Sequence, residues 1–124
     1  MEFAEDHAAA EFIIHSCSAE GVRVNGQDLT ESFMLLPGQP VQAWPIIASE
    51  PLKPQHFSTV IEYQPELVVL GTGADLQLPD PEVYGALLSR EIGLEAMTTI
   101  AACRTYNLLA QDGRNVAACL ILPV

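Results

Sequence analysis

Three observations predict an α/β fold built on a mixed β-sheet. Residues 67–70, Leu-Val-Val-Leu, are an uninterrupted apolar run that enters the turn Gly71-Thr72-Gly73. A strand covered on both faces has this composition. From there the pattern alternates strand, helix, strand, helix, strand. Helices of about a dozen residues between strands demand right-handed crossovers and so a parallel or mixed sheet. Third, Asn25-Gly26 lies between two short β-type stretches. The pair marks an N-terminal hairpin that must join a sheet edge or form a second layer.

In chain order, residues 1–11 read as a frayed terminus or a short helical turn. Residues 12–17 are apolar and β-branched enough for a strand. Residues 22–24 and 27–29 flank Asn25-Gly26, the preferred pair for a type I′ turn because both positions take positive φ. Residues 33–36 form another strand, stopped by Pro37-Gly38-Gln39-Pro40, and residues 41–44 alternate as a half-buried strand does. Pro45, Pro51 and Pro54 punctuate a loop. Phe57, Val60 and Ile61 then have the spacing of a short amphipathic helix over 55–63, which Pro65 ends.

The run 67–70 reads as the central strand. Asp80 is placed to cap a helix with Pro81 in its first turn and Glu82 at its positive end. Val83, Leu87, Leu88 and Ile92 would form its inner stripe and Gly93 its C′ residue. Residues 94–97 form a short strand. Thr98 or Thr99 caps a last helix that runs to about Ala110, Asp112-Gly113 turns the chain, and 116–122 is the second buried strand.

A length of 124 residues fits one domain, and 49% apolar residues suffice for a core without disulfide or metal. Sixteen Asp and Glu against five Lys and Arg give a formal net charge of -11. That balance opposes nucleic-acid backbones and anionic membrane surfaces and favours a basic partner. Cys17, Cys103 and Cys119 form no C-x-x-C pair and read as reduced thiols. The acidic start resembles neither a secretory signal nor a transit peptide, and the longest apolar run is far short of a membrane span. A soluble cytoplasmic protein is expected.

Four segments carry a resemblance to a known family: 68–73 (Val-Val-Leu-Gly-Thr-Gly), 93–99 (Gly-Leu-Glu-Ala-Met-Thr-Thr), 101–109 (Ala-Ala-Cys-Arg-Thr-Tyr-Asn-Leu-Leu) and 113–118 (Gly-Arg-Asn-Val-Ala-Ala). Together they resemble a small domain-of-unknown-function family of bacteria and archaea. It includes the mitochondrial complex I assembly factor 3 and an adipogenesis-associated cytosolic protein of animals. The resemblance implies a compact three-layer domain, with helices on one side of a central mixed sheet and extra β structure with a helix on the other. It implies no agreed catalytic residues, and a scaffolding or assembly role.

The residues offer several sites, each weighed against a structural reading. Gly71-Thr72-Gly73 fails as a dinucleotide fingerprint, because the third glycine would fall at Leu76 and the helix waits until Pro81. The turn and the helix start at Thr98 and Thr99 should still share the carboxyl ends of the strands, where exposed N–H groups hold small anions in open α/β sheets. Cys103 and Arg104 stand early in the last helix, where a thiol can be activated by helix dipole and cation. A base, His15 or His56, would have to come from afar. The alternative is a Cys packed between helix and sheet. Asn107 is poorly suited to mid-helix and calls for a side-chain hydrogen bond, structural or to a ligand. Arg104 and Arg114 either pair with local carboxylates or line an anion site. His7, Glu11 and His15 have helical metal-ligand spacing, broken by the strand at 12–17. No metal and no cofactor are expected.

The expectation is therefore a non-enzymatic interaction or assembly module with a protein partner. The alternative is a small-molecule or anion site at Gly71, Thr72 and Gly73, joined by Thr98, Thr99, Cys103, Arg104, Asn107 and Arg114.

Overall fold

The computed structural model describes residues 13–124. The expected terminus over 1–11, and with it His7 and Glu11 of the metal spacing, lies outside them. Among the described residues the strands are β1 (Ile14–Ser18), β2 (Gly21–Val24), β3 (Gln27–Leu29), β4 (Phe33–Leu35), β5 (Gln42–Ala43), β6 (Leu67–Gly71), β7 (Gly93–Met97) and β8 (Val116–Leu120). A 3-10 turn (Pro54–Phe57) leads into α1 (Ser58–Tyr63). The helices α2 (Pro81–Leu88) and α3 (Thr99–Gln111) follow β6 and β7.

Strands β1, β2 and β3 form an antiparallel sheet. Asn25 and Gly26 have φ of 50° and 86°, the two positive values that a type I′ turn requires. The second sheet has the order β5-β4-β8-β6-β7. Here β6 runs parallel to both β7 and β8, while β4 is antiparallel to β8. The middle position belongs to β8, not to the run 67–70 read as central; β6 lies beside it. Both are flanked by strands and covered on both faces, which is why both are apolar throughout.

Alternation along these strands divides the core. Val69, Val116, Ala118 and Leu120 pack with β1, β2 and the buried stripe of α3, Ala102, Cys103, Tyr106 and Ala110. Val68, Leu70, Ala117 and Cys119 pack with Phe57, Val60, Val83 and Leu87 from the 3-10 turn, α1 and α2. The layers are thus β1–β3 with α3, the five-stranded sheet, and the remaining helices. This is the three-layer arrangement that the resemblance implied.

Four local expectations are corrected. Residues 55–63 are not one helix, since a 3-10 turn through Phe57 precedes α1. The stretch 41–44 contributes only Gln42–Ala43 to the sheet. Trp44 turns inward, its Nε1 donating to the His56 carbonyl at 2.9 Å and its ring meeting Phe57 edge-on. Asp80 occupies the N-cap position of α2, but its carboxylate makes no capping hydrogen bond. Finally, α2 stops a turn early. Glu91 N–H donates to Leu88 O and Ile92 N–H to Leu87 O, with Glu91 at φ 62°. That is a Schellman closure whose C′ residue is Glu91 rather than Gly93. Leu88, read as part of the inner stripe with Val83 and Leu87, is instead 69% exposed. Gly93 opens β7, where a Cβ would lie 3.1 Å from Leu67 Cδ1.

Candidate functional site

The parallel strands β6, β7 and β8 direct their carboxyl ends to one edge of the molecule, where open α/β sheets place ligands. There β6 delivers Gly71-Thr72-Gly73 against the start of α3. A Cβ on Gly71 would sit 2.8 Å from both Cα and Oγ1 of Thr99, so only glycine permits this approach. Thr98 caps α3, its hydroxyl accepting from Ala101 N–H at 3.3 Å. Thr99, fully buried, has a different task. Its Oγ1 accepts from Gly73 N–H at 2.8 Å and donates to Ile121 O at 2.9 Å, tying β6, α3 and the end of β8 together.

The turn's other polar groups are also engaged. Thr72 N–H donates to Met97 O at 2.8 Å. The Thr72 hydroxyl donates to Asp75 O at 2.7 Å and accepts from Gln77 N–H at 3.1 Å, which curls the following loop back over the strand end. Ile121 N–H donates to Gly71 O at 2.9 Å. The Thr72 and Gly73 N–H groups therefore face the packed helix and β7 rather than an anion.

Beside this knot lies a cavity of about 370 Å³, bounded by residues 48–52, by the loop that leaves β6, and by Ile121 and Pro123. Thr72 and Gly73 line it. So do three carboxylates, Glu50, Asp75 and Asp80, with no Lys, Arg or His in the lining. Leu78 lines it too and is 70% exposed; Leu76 and Ile47, from the same two loops, are 55% and 59% exposed.

The remaining residues of the expected site lie elsewhere. Cys103, Arg104 and Asn107 stand on α3 beside β1, around a smaller cavity of about 210 Å³ that also contains His15 and Cys17. Burial pushes the Cys103 thiol up, and neighbouring Cys17 pushes it further, so nothing there favours a thiolate. His56 is turned away, its Nδ1 accepting from Lys53 N–H. Asn107 grips β1: its Oδ1 accepts from Ile14 N–H at 2.9 Å and its Nδ2 donates to Ile14 O at 2.6 Å. Arg114 is at the opposite end of the parallel strands, 3.0 Å from Glu66. Arg114, helped by the Asn115 N–H, holds the Glu66 carboxyl below the usual carboxylate range. Among the described residues no cluster of His, Cys, Asp and Glu is arranged to hold a metal.

The nine residues thus divide among three places. Of them, Thr72 and Gly73 line the large cavity. Its second wall, residues 48–52, carries no motif, and Asp80 had an adequate reading as a cap. The available signal was a pair of leucines, Leu76 and Leu78, inside an otherwise polar and proline-bearing loop.

This architecture, a mixed five-stranded sheet layered between helices and a hairpin sheet, defines a small α/β domain with a loop-lined cavity at its strand ends. The chain belongs to the DUF498/DUF598 family of proteins of unknown function, whose model matches residues 14–121. It is 36% identical over 112 residues to the bovine (Bos taurus) NADH dehydrogenase (ubiquinone) 1 alpha subcomplex assembly factor 3, covering 89% of this chain and 60% of that protein. Among solved structures, an NMR structure from Xanthomonas campestris is 41% identical with a TM-score of 0.79, over 89% of this chain and 83% of the other. A crystal structure from Bordetella parapertussis is 29% identical with a TM-score of 0.85, over 90% and 96%. The resemblance read from the four sequence segments is borne out.

Proposed function

We propose that the chain is a non-enzymatic interaction or assembly module that meets its partner at the carboxyl-end face of the sheet. One observation carries this reading. The N–H groups of Thr72 and Gly73 and the Thr72 hydroxyl, which an anion site would aim into the cavity, are bonded to β7, α3 and the following loop, while Ile47, Leu76 and Leu78 stand exposed beside it. Exposed apolar groups clustered at a concavity are a feature of interaction surfaces. The name of the bovine relative, an assembly factor, supports the same reading. The anion alternative at Gly71, Thr72 and Gly73 is disfavoured by a lining with three carboxylates and no cation. No helix among the described residues is long and apolar enough to cross a membrane. The acidic composition and three thiols support a cytoplasmic setting.

The test is recovery of a stoichiometric partner from native extract on the full chain, compared with Leu78→Glu. Leu78 is exposed, so the variant should fold normally and release the partner. A protein that elutes alone at low and at high salt overturns the proposal.

A further inference from the structure

The chemistry of the carboxyl-end cavity identifies the kind of partner, on the premise that the module reading holds. Its lining combines two features. Leu52, Leu78 and Ile121 offer apolar surface within a volume of about 370 Å³, enough for one or two large side chains. Glu50, Asp75 and Asp80 come from two different loops and from the start of α2, so negative charge approaches the same space from separate directions. Lys53, the cation nearest in sequence, is not part of the lining.

We infer that this cavity receives a basic segment of another protein, with an aliphatic or aromatic side chain entering between Leu52 and Leu78 and Lys or Arg on either side meeting Glu50, Asp75 and Asp80. Charge complementarity excludes the other occupants. A second copy would bring five Lys and Arg against sixteen Asp and Glu. The chain's own residues 1–12 hold Glu2, Glu5, Asp6 and Glu11 with no Lys or Arg, so they would be repelled. A basic segment alone gains both contributions. Apolar insertion supplies affinity, and the carboxylates supply orientation and a faster encounter.

The experiment uses the full chain and two synthetic peptides with the same Leu-Phe centre, one flanked by Lys and one by Glu. Binding is read by fluorescence anisotropy. The Lys-flanked peptide should bind and weaken as salt rises, and the Glu-flanked peptide should not bind. The triple variant Glu50→Gln, Asp75→Asn, Asp80→Asn should lose about tenfold in affinity, the sum of three exposed ion pairs. Asparagine at position 80 keeps a residue favoured at a helix start, so the variant should fold. Equal binding of the Lys-flanked peptide to wild type and triple variant would overturn the inference, since attraction to the overall charge of -11 would then suffice. Failure of the Lys-flanked peptide to bind wild type would overturn it equally. If a partner recovered from extract is released by Leu78→Glu but held by the triple variant, the module reading survives and the basic segment does not.

Discussion

Asn107 is the residue that fastens α3 to the first strand of the hairpin sheet. Its amide oxygen accepts from the Ile14 N–H and its amide nitrogen donates to the Ile14 carbonyl. The sequence marked this asparagine as one in need of a hydrogen bond, because mid-helix asparagine has poor propensity. It could not name the partner 93 positions away, since nothing local encodes that encounter. Asn107→Ala should cost about 1–3 kcal/mol in denaturant unfolding, because two part-buried backbone groups lose their partner. Asn107→Asp should be no better: it retains the acceptor but sets a carboxylate oxygen against the Ile14 carbonyl. Cys103, one turn earlier, illustrates the opposite outcome. Its place early in a helix suggested activation, but burial beneath β1 decides its chemistry.

At the scale of elements, β6 and α3 meet at a close backbone approach, with no room for a Cβ at Gly71. Gly71 is needed because the Thr99 backbone, which cannot swing away as a side chain would, occupies the place of its Cβ. Gly71→Ala should therefore destabilise by about 1–3 kcal/mol, as overpacked cores do. The measurement is a chemical denaturation curve beside that of Gly85→Ala, where a Cβ meets nothing within 4 Å. Elements were legible where the determinant was local. Asn25-Gly26 specified its turn, and of the two threonines offered as a cap, Thr98 takes the place while Thr99 is buried. Elements were illegible where a neighbour decided. Glu91 rather than Gly93 takes the left-handed position because Ile92 must turn back into the core. The cavity was half legible: the turn after β6 announced one wall, while residues 48–52 join it only through the path of the chain around Trp44.

For the whole molecule, charge is distributed by the ends of the sheet. The amino ends of β6 and β8 are joined by Glu66 and Arg114, whereas the carboxyl ends gather Glu50, Asp75 and Asp80. Because the folded state depresses the Glu66 carboxyl, its contribution is present above the unfolded carboxylate range and fades as pH falls through the lower folded value. Unfolding of wild type and Glu66→Gln should therefore differ at neutral pH and converge in acid. A difference that persists or grows in acid would contradict the ion pair's role. The pair is exposed, so high salt should shrink the difference as well. Trp44 links this view to the cavity. It is the single tryptophan of the chain, it lies under 4% exposed against Phe57, and it holds the His56 carbonyl. The segment that leaves it supplies residues 48–52, the wall opposite the β6 turn. The protein thus carries its own optical probe. The indole emission reports whether that wall stays seated on the sheet, with no label attached.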